Sequence, residues 1–287
     1  MQIISKKNIV LNGAAGKLIG LDIFYNEHLK HQPVIIYAHG FNGFKDWGNF
    51  DLIATQFAQY GFTFIKFNFS HNGTSIENPE EFVDLEAFGN NNYTKQLFDL
   101  KCVLNWICAA DNPYLNYLNI DDISLIGHSM GGGISILFAS EDERVKQLIT
   151  WASISECKTP WGSWPAEKII EWKNKGVEYY VNGRTKQNMP LYYQLHEDFK
   201  QNEERLNILK AIASLTIPVL ICHGTLDNSV KIESAIQLQK SQPKAALFTV
   251  ESDHVFGRKH PWLAENLPVE MQLVVDKCLQ FLKANIA

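Results

Sequence analysis

The chain has 287 residues, 46% of them hydrophobic and 20% charged, with a formal net charge of -5. That length allows one large domain with room for an insertion, and the composition is ordinary for a globular protein. An acidic balance without a Lys/Arg block argues against nucleic acid as a main partner, and no apolar run approaches the length of a membrane span.

In chain order, Ile3 to Leu11 and Lys17 to Tyr25 read as an antiparallel hairpin around Asn12-Gly13-Ala14-Ala15-Gly16. Pro33 to Ala38 is a nearly continuous apolar run, expected of a strand buried on both faces, and it ends in His39-Gly40-Phe41. Phe50 to Tyr60 has helical spacing and stops at Gly61, and Phe62 to Phe67 is a second buried strand. A polar loop runs from Asn68 to about Asn92, and Tyr93 to Ala109 is an amphipathic helix. The run from Ile123 climbs into Gly127-His128-Ser129-Met130-Gly131 and continues into a helical segment, Ile134 to Ser140. Val145 to Ala152 is the next strand. Residues 153–214 are rich in Trp, Tyr, Lys, Glu and Asn and contain no buried-strand run. Strands resume at Ile217 to Cys222 and Ala245 to Val250, separated by a helix over Ser229 to Lys240 and followed by one over Glu265 to Ala284. Apolar strands alternating with amphipathic helices specify an α/β fold, a mainly parallel sheet covered on both faces.

Gly127 to Gly131 matches G-x-S-x-G, a sharp strand-to-helix turn that leaves a serine hydroxyl exposed at the top of a sheet. Ser129 is therefore the candidate nucleophile. A serine needs a base to take its proton, and the base needs a third group to fix its tautomer. Asp227 follows the Ile217 strand and His254 follows the Ala245 strand, so Ser129, Asp227 and His254 all lie just past parallel strands. Such ends share one sheet edge, where distant residues converge. Asp227 also reads as a turn or cap residue, and His254 as a loop histidine. His260 is a weaker base and Glu251 an outside candidate for the acid, while Asp253 is poorly placed to reach the neighbouring imidazole. The amides of Phe41 and Met130 are the candidate oxyanion donors, with Gly40 letting the backbone approach.

These stretches, with Phe67-Asn68-Phe69-Ser70, Gly73, Ser75 and His223 to Asp227, resemble the α/β-hydrolase superfamily over nearly the whole chain. More narrowly they are similar to serine esterases related to cinnamoyl (feruloyl) esterases and dienelactone hydrolases. The resemblance implies Ser129, Asp227 and His254 as nucleophile, acid and base, and Phe41 and Met130 as oxyanion amides. A serine nucleophile does not imply the dienelactone hydrolase cysteine chemistry. Asn68 and Ser70 stand where D-x-R-G-x-G is commoner, a departure in a loop read as structural. The expected organisation is a hydrolase core over 1–152 and 215–287 with a lid inserted at 153–214. His39, Gly40, Trp161 and Trp164 are candidate substrate-binding residues.

The expected reaction is cleavage of a small-molecule carboxylic ester through an acyl-enzyme, with cinnamoyl-type esters as one substrate class. Neither cofactor nor metal is expected, since no phosphate loop, dinucleotide fingerprint or zinc motif stands out and His196-Glu197-Asp198 lacks ligand spacing. The alternatives are a peptidase or thioesterase with the same triad, or a non-catalytic binding protein on the same fold. Cys102, Cys108, Cys157, Cys222 and Cys278 are scattered and read as free thiols suited to a reducing compartment. The N-terminal stretch does not read as a signal peptide, so a cytoplasmic location is expected. Oligomeric state is left open, a homodimer being one option.

Overall fold

In the computed structural model, which describes residues 2–286, the chain opens on an antiparallel pair, β1 (Ile3–Asn12) and β2 (Leu18–Asn26). Strand β1 is largely exposed and β2 almost wholly buried, as befits an edge strand and its neighbour. Next come β3 (Gln32–Ala38), α1 (Phe50–Gln59), β4 (Thr63–Phe67), the short α2 (Leu85–Gly89) and α3 (Tyr93–Ile107). They are followed by β5 (Leu118–His128), α4 (Met130–Glu141) and β6 (Val145–Trp151). Residues 153–214 then carry α5 (Ala166–Lys175), a hairpin of β7 (Val177–Val181) and β8 (Asn188–Tyr192), α6 (Gln194–Gln201) and α7 (Ile208–Ser214). The chain closes with β9 (Val219–Gly224), α8 (Glu233–Ser241), β10 (Ala246–Val250) and α9 (Val269–Ala284).

Eight strands form one sheet in the order β1-β2-β4-β3-β5-β6-β9-β10. The first two pair antiparallel with their neighbours, and the remaining pairings are parallel. Alternation within the strands decides the layers. Val34, Ile36 and Ala38 join Leu125 and Leu148 in a core with residues of α3 and α4, whereas Ile35 and Tyr37 join Ile126 and Ile149 in a second core with residues of α1 and α9. Both faces are thus buried, which is why these strands read as continuous apolar runs. Each fully buried Val, Leu or Ile contributes roughly 1.5–3 kcal/mol. Helix α3 begins where Asn92 Oδ1 accepts from the Lys95 amide at 2.9 Å, and its Leu97, Leu100, Val103, Leu104 and Ile107 stripe is buried.

Three details differ from the sequence reading. The polar loop after β4 contains α2, started by Asp84 Oδ1 accepting from the Ala87 amide at 2.9 Å and too short to show a period. Helix α8 begins at Glu233 because the Ser229 and Val230 amides are turned to Asp227 instead. The final helix begins at Val269, immediately after Pro268. Between 153 and 214 no strand joins the main sheet. Strands β7 and β8 pair with each other, and α7 packs on α4 and α8.

A group of charges is enclosed where β2, β4 and α1 meet. Lys45 Nζ lies 2.8 Å from Asp22 and 2.5 Å from Asp46, and Lys66 Nζ lies 3.0 Å from Asp22, 2.7 Å from Asp51 and against Asp46. All five cysteines are free thiols, with Cys157, Cys222 and Cys278 buried and Cys102 and Cys108 partly so. Among the described residues no helix is long and apolar enough to cross a membrane.

Candidate active site

The sheet delivers four loops to one edge, those following β3, β5, β9 and β10. At the end of β5 the chain reverses at Ser129, which has φ 56° and ψ -119° and caps α4. A non-glycine residue there is strained, and the surroundings must hold it. The Ser129 amide donates to the Trp151 carbonyl at 2.8 Å, tying the turn to β6. At Gly131 a Cβ would lie 2.3 Å from the Ala38 oxygen and 2.4 Å from that of His39, so only glycine lets α4 start against β3. At Gly40 a Cβ would lie 2.9 Å from Ser129 Cβ, which places the β3 loop directly beside the serine.

Asp227 and His254 meet across the β9 and β10 loops, with Asp227 Oδ2 2.7 Å from His254 Nδ1. The other carboxylate oxygen accepts from the Ser229 amide at 2.8 Å and the Val230 amide at 2.9 Å. Burial alone would raise the Asp227 carboxyl, but hydrogen bonds from His223 and His254 outweigh it and hold the group well below the usual carboxylate range. An ionised Asp227 keeps the proton of a neutral His254 on Nδ1 and leaves the Nε2 lone pair free. The backbone of His254 is held as well, since its carbonyl accepts from His128 Nε2 at 3.0 Å.

Ser129 and His254 line one cavity of about 200 Å³. No hydrogen bond joins the Ser129 hydroxyl to His254 among the described residues, a bond that commonly tightens only with substrate in place. The amides of Phe41 and Met130 donate to no protein acceptor among the described residues. His39 and Gly40 also line the cavity. The His39 ring is already engaged: Nε2 accepts from the Phe69 amide at 3.2 Å and Nδ1 donates to the Gly40 carbonyl at 2.9 Å. Burial lowers its pKa to about 4, so it stays neutral and serves to pin the β3 loop.

The two tryptophans expected at the substrate lie elsewhere. Trp161 packs among Tyr93, Trp172, His196 and Phe199, and Trp164 lies edge-on to Trp172, with neither lining the cavity. Trp161 is buried between residues 153–214 and Tyr93 of α3, and Trp164 is half-buried under Lys168, so both serve packing. Residues 153–214 approach the site through Tyr180, whose hydroxyl bonds Asn42 Oδ1 and whose ring lies 5.7 Å from that of Phe41. Of the other candidates, Glu251 is exposed and Asp253 accepts from the Val255 and Gly257 amides. His260 Nδ1 accepts from the Gly48 amide at 2.9 Å. The cavity walls missed in the sequence are Tyr37, Phe44, Trp47, Phe50 and Arg258. The apolar strand and helix patterns around Tyr37 and Phe50 mark them only as core, and nothing in the spacing marks Arg258.

Residues 33–180 match the family described as alpha/beta hydrolase fold. The chain belongs to that family. This hydrolase-fold chain has no match among curated proteins. Solved structures resemble it over almost their whole length. Est1E from Butyrivibrio proteoclasticus is 16% identical, covering 98% of this chain and 99% of its own with a TM-score of 0.69. The same protein with ferulic acid bound is 18% identical over 96% and 98%, with a TM-score of 0.68. The alpha/beta hydrolase GrgF from Penicillium sp. sh18 is 20% identical over 99% of each chain, with a TM-score of 0.69. At these identities the likeness is one of fold.

Proposed function

We propose that the protein is a serine hydrolase that cleaves carboxylic esters through an acyl-enzyme. The observation that carries this reading is the 2.7 Å contact between His254 Nδ1 and Asp227, with Ser129 on the same cavity at a strained turn. In the first half-reaction Ser129 Oγ attacks the ester carbonyl as His254 Nε2 takes its proton. The Phe41 and Met130 amides and the N-terminus of α4 stabilise the oxyanion. Collapse expels the alcohol, which receives the proton from His254 and leaves the acyl group on Ser129. In the second half-reaction a water, deprotonated by His254, releases the acid and restores the serine.

The cavity wall includes Phe41, Phe44, Trp47 and Phe50, which favours a compact or flat acyl group. Esters of cinnamoyl type are the first class to assay, a choice also supported by the fold likeness to Est1E, which was solved with ferulic acid. Residues 153–214 act in this reading as a cap whose Tyr180 closes on Phe41 and Asn42. The test is labelling by a fluorophosphonate, followed by turnover of methyl ferulate, p-nitrophenyl acetate, an anilide and a thioester. Labelling at Ser129 with ester turnover is expected. Absence of labelling in folded protein would sink the mechanism, and a preference for anilide or thioester would move it to a peptidase or thioesterase.

A further inference from the structure

The cavity that holds Ser129 and His254 also holds a buried cation with unused donors. Arg258 is 3% exposed. Its Nε donates to the Val255 carbonyl at 2.7 Å, while Nη1 and Nη2 are buried and bonded to no acceptor among the described residues. The guanidinium lies 4.6 Å from the Phe50 ring centre, 5.6 Å from that of Trp47 and 5.9 Å from that of Trp151. Those ring faces attract the charge but cannot accept the in-plane N–H bonds. No carboxylate of the protein forms an ion pair with Arg258 among the described residues, and the buried Asp22 and Asp46 are taken up by Lys45 and Lys66. The Tyr37 hydroxyl lines the same cavity beside the Arg258 guanidinium, which acts on it electrostatically, yet no hydrogen bond of good geometry joins it to a protein group among the described residues.

A guanidinium does not escape this position by losing its proton, and buried donors call for an acceptor. The group that answers a planar fork of N–H donors is a carboxylate, which accepts two parallel bonds and neutralises the charge. We propose that this cavity is a carboxylate subsite: the ester it serves carries a second, ionised carboxyl group that pairs with Arg258 and the Tyr37 hydroxyl while the ester carbonyl reaches Ser129. The substrate class is then a half-ester of a dicarboxylic acid. This rests on the ester-hydrolase reading for the reaction but not for the binding.

The experiment compares kcat/KM for monomethyl glutarate with that for the corresponding methyl ester amide, and repeats the pair with monomethyl terephthalate and its amide. In parallel, titration calorimetry measures glutarate binding to the Ser129→Ala protein with and without Arg258→Met. The wild type should favour the carboxylate over the amide by about tenfold or more in at least one pair, as charge-assisted bonds allow. Arg258→Met should bring that ratio close to one and abolish glutarate binding. If Arg258→Met does not fold, Arg258→Lys, a point charge without the fork, should reduce the ratio several-fold. Equal kcat/KM for carboxylate and amide in both pairs overturns the proposal. If no ester is turned over, p-nitrophenyl acetate included, the ester-hydrolase reading fails. Glutarate binding then decides the subsite alone: saturable binding lost with Arg258→Met supports it, and no binding overturns it.

Discussion

At the scale of the residue, what each side chain touches sets its part in the chemistry. Ser129→Ala should lower kcat by about 10⁴ to 10⁶ and His254→Ala by a similar factor, read with any ester the protein turns over. Asp227→Asn should cost on the order of 10⁴, because an amide at the 2.7 Å contact favours the wrong imidazole tautomer. Ser129→Ala retaining a tenth of the activity would end the acyl-enzyme reading. The pH profile follows from the same contact. Asp227, held well below the usual carboxylate range, stays ionised above the ordinary aspartate value of 3.8. Above that value no limb of the kcat/KM profile should therefore belong to Asp227, and Asp227→Asn should remove none. The convergence of Asp227 and His254 on the cavity of Ser129 was legible in the sequence because each residue is tied to a strand end and together they follow the order Ser, Asp, His. Arg258 was not, since its meaning lies in the partners it lacks. Trp161 and Trp164 misled because an aromatic residue has the same letter in a pocket and in a core.

At the scale of the element, the strands that carry the site were legible for a physical reason. β3, β5 and β6 are buried on both faces, so their apolar runs admit few other readings. The hairpin β7–β8 was not, because it is half-exposed and pairs outside the main sheet. What the β3 loop does is set by its closeness to the serine. Gly40→Ala should push that loop, and with it the Phe41 amide, away from Ser129, since the new Cβ would start 2.9 Å from Ser129 Cβ and 3.1 Å from the His128 oxygen. We expect a drop in kcat of about 10² to 10³, the value of one oxyanion donor, with KM changed much less. Unaltered kcat in a folded Gly40→Ala protein would place the oxyanion elsewhere.

At the scale of the whole molecule, the sheet divides two apolar cores, and the enclosed charges beside α1 form one network with the residues that follow β3. Lys66→Met leaves Asp22 and Asp46 with Lys45 as their remaining cation and the half-exposed Asp51 with Lys7, and should still cost about 3 kcal/mol in urea unfolding because two buried carboxylates then share one buried cation. A loss under about 1 kcal/mol would show the network to be neutral. The same group contributes to acid stability, alongside the lowered carboxyls of Asp142 and Asp227. Burial alone would raise the Asp46 carboxyl, but Lys66 and Lys45 outweigh it and lower its pKa from 3.8 to about 2. Because the folded value lies below the unfolded one, the stabilisation is complete above pH 3.8 and is lost as pH falls through about 2. Urea midpoints across that window should decline less steeply in Lys66→Met than in the wild type. The buried thiols give the molecule built-in clocks for its own opening. Cys157 sits just after β6, at the start of residues 153–214, Cys222 inside β9 and Cys278 on α9, all shut from solvent, while Cys102 and Cys108 are partly open. An alkylating reagent followed by mass spectrometry should therefore mark Cys102 and Cys108 first. If residues 153–214 open as their own unit, Cys157 reacts next, at a rate indifferent to stabilisers of the sheet, and Cys222 and Cys278 react together only when the whole chain lets go.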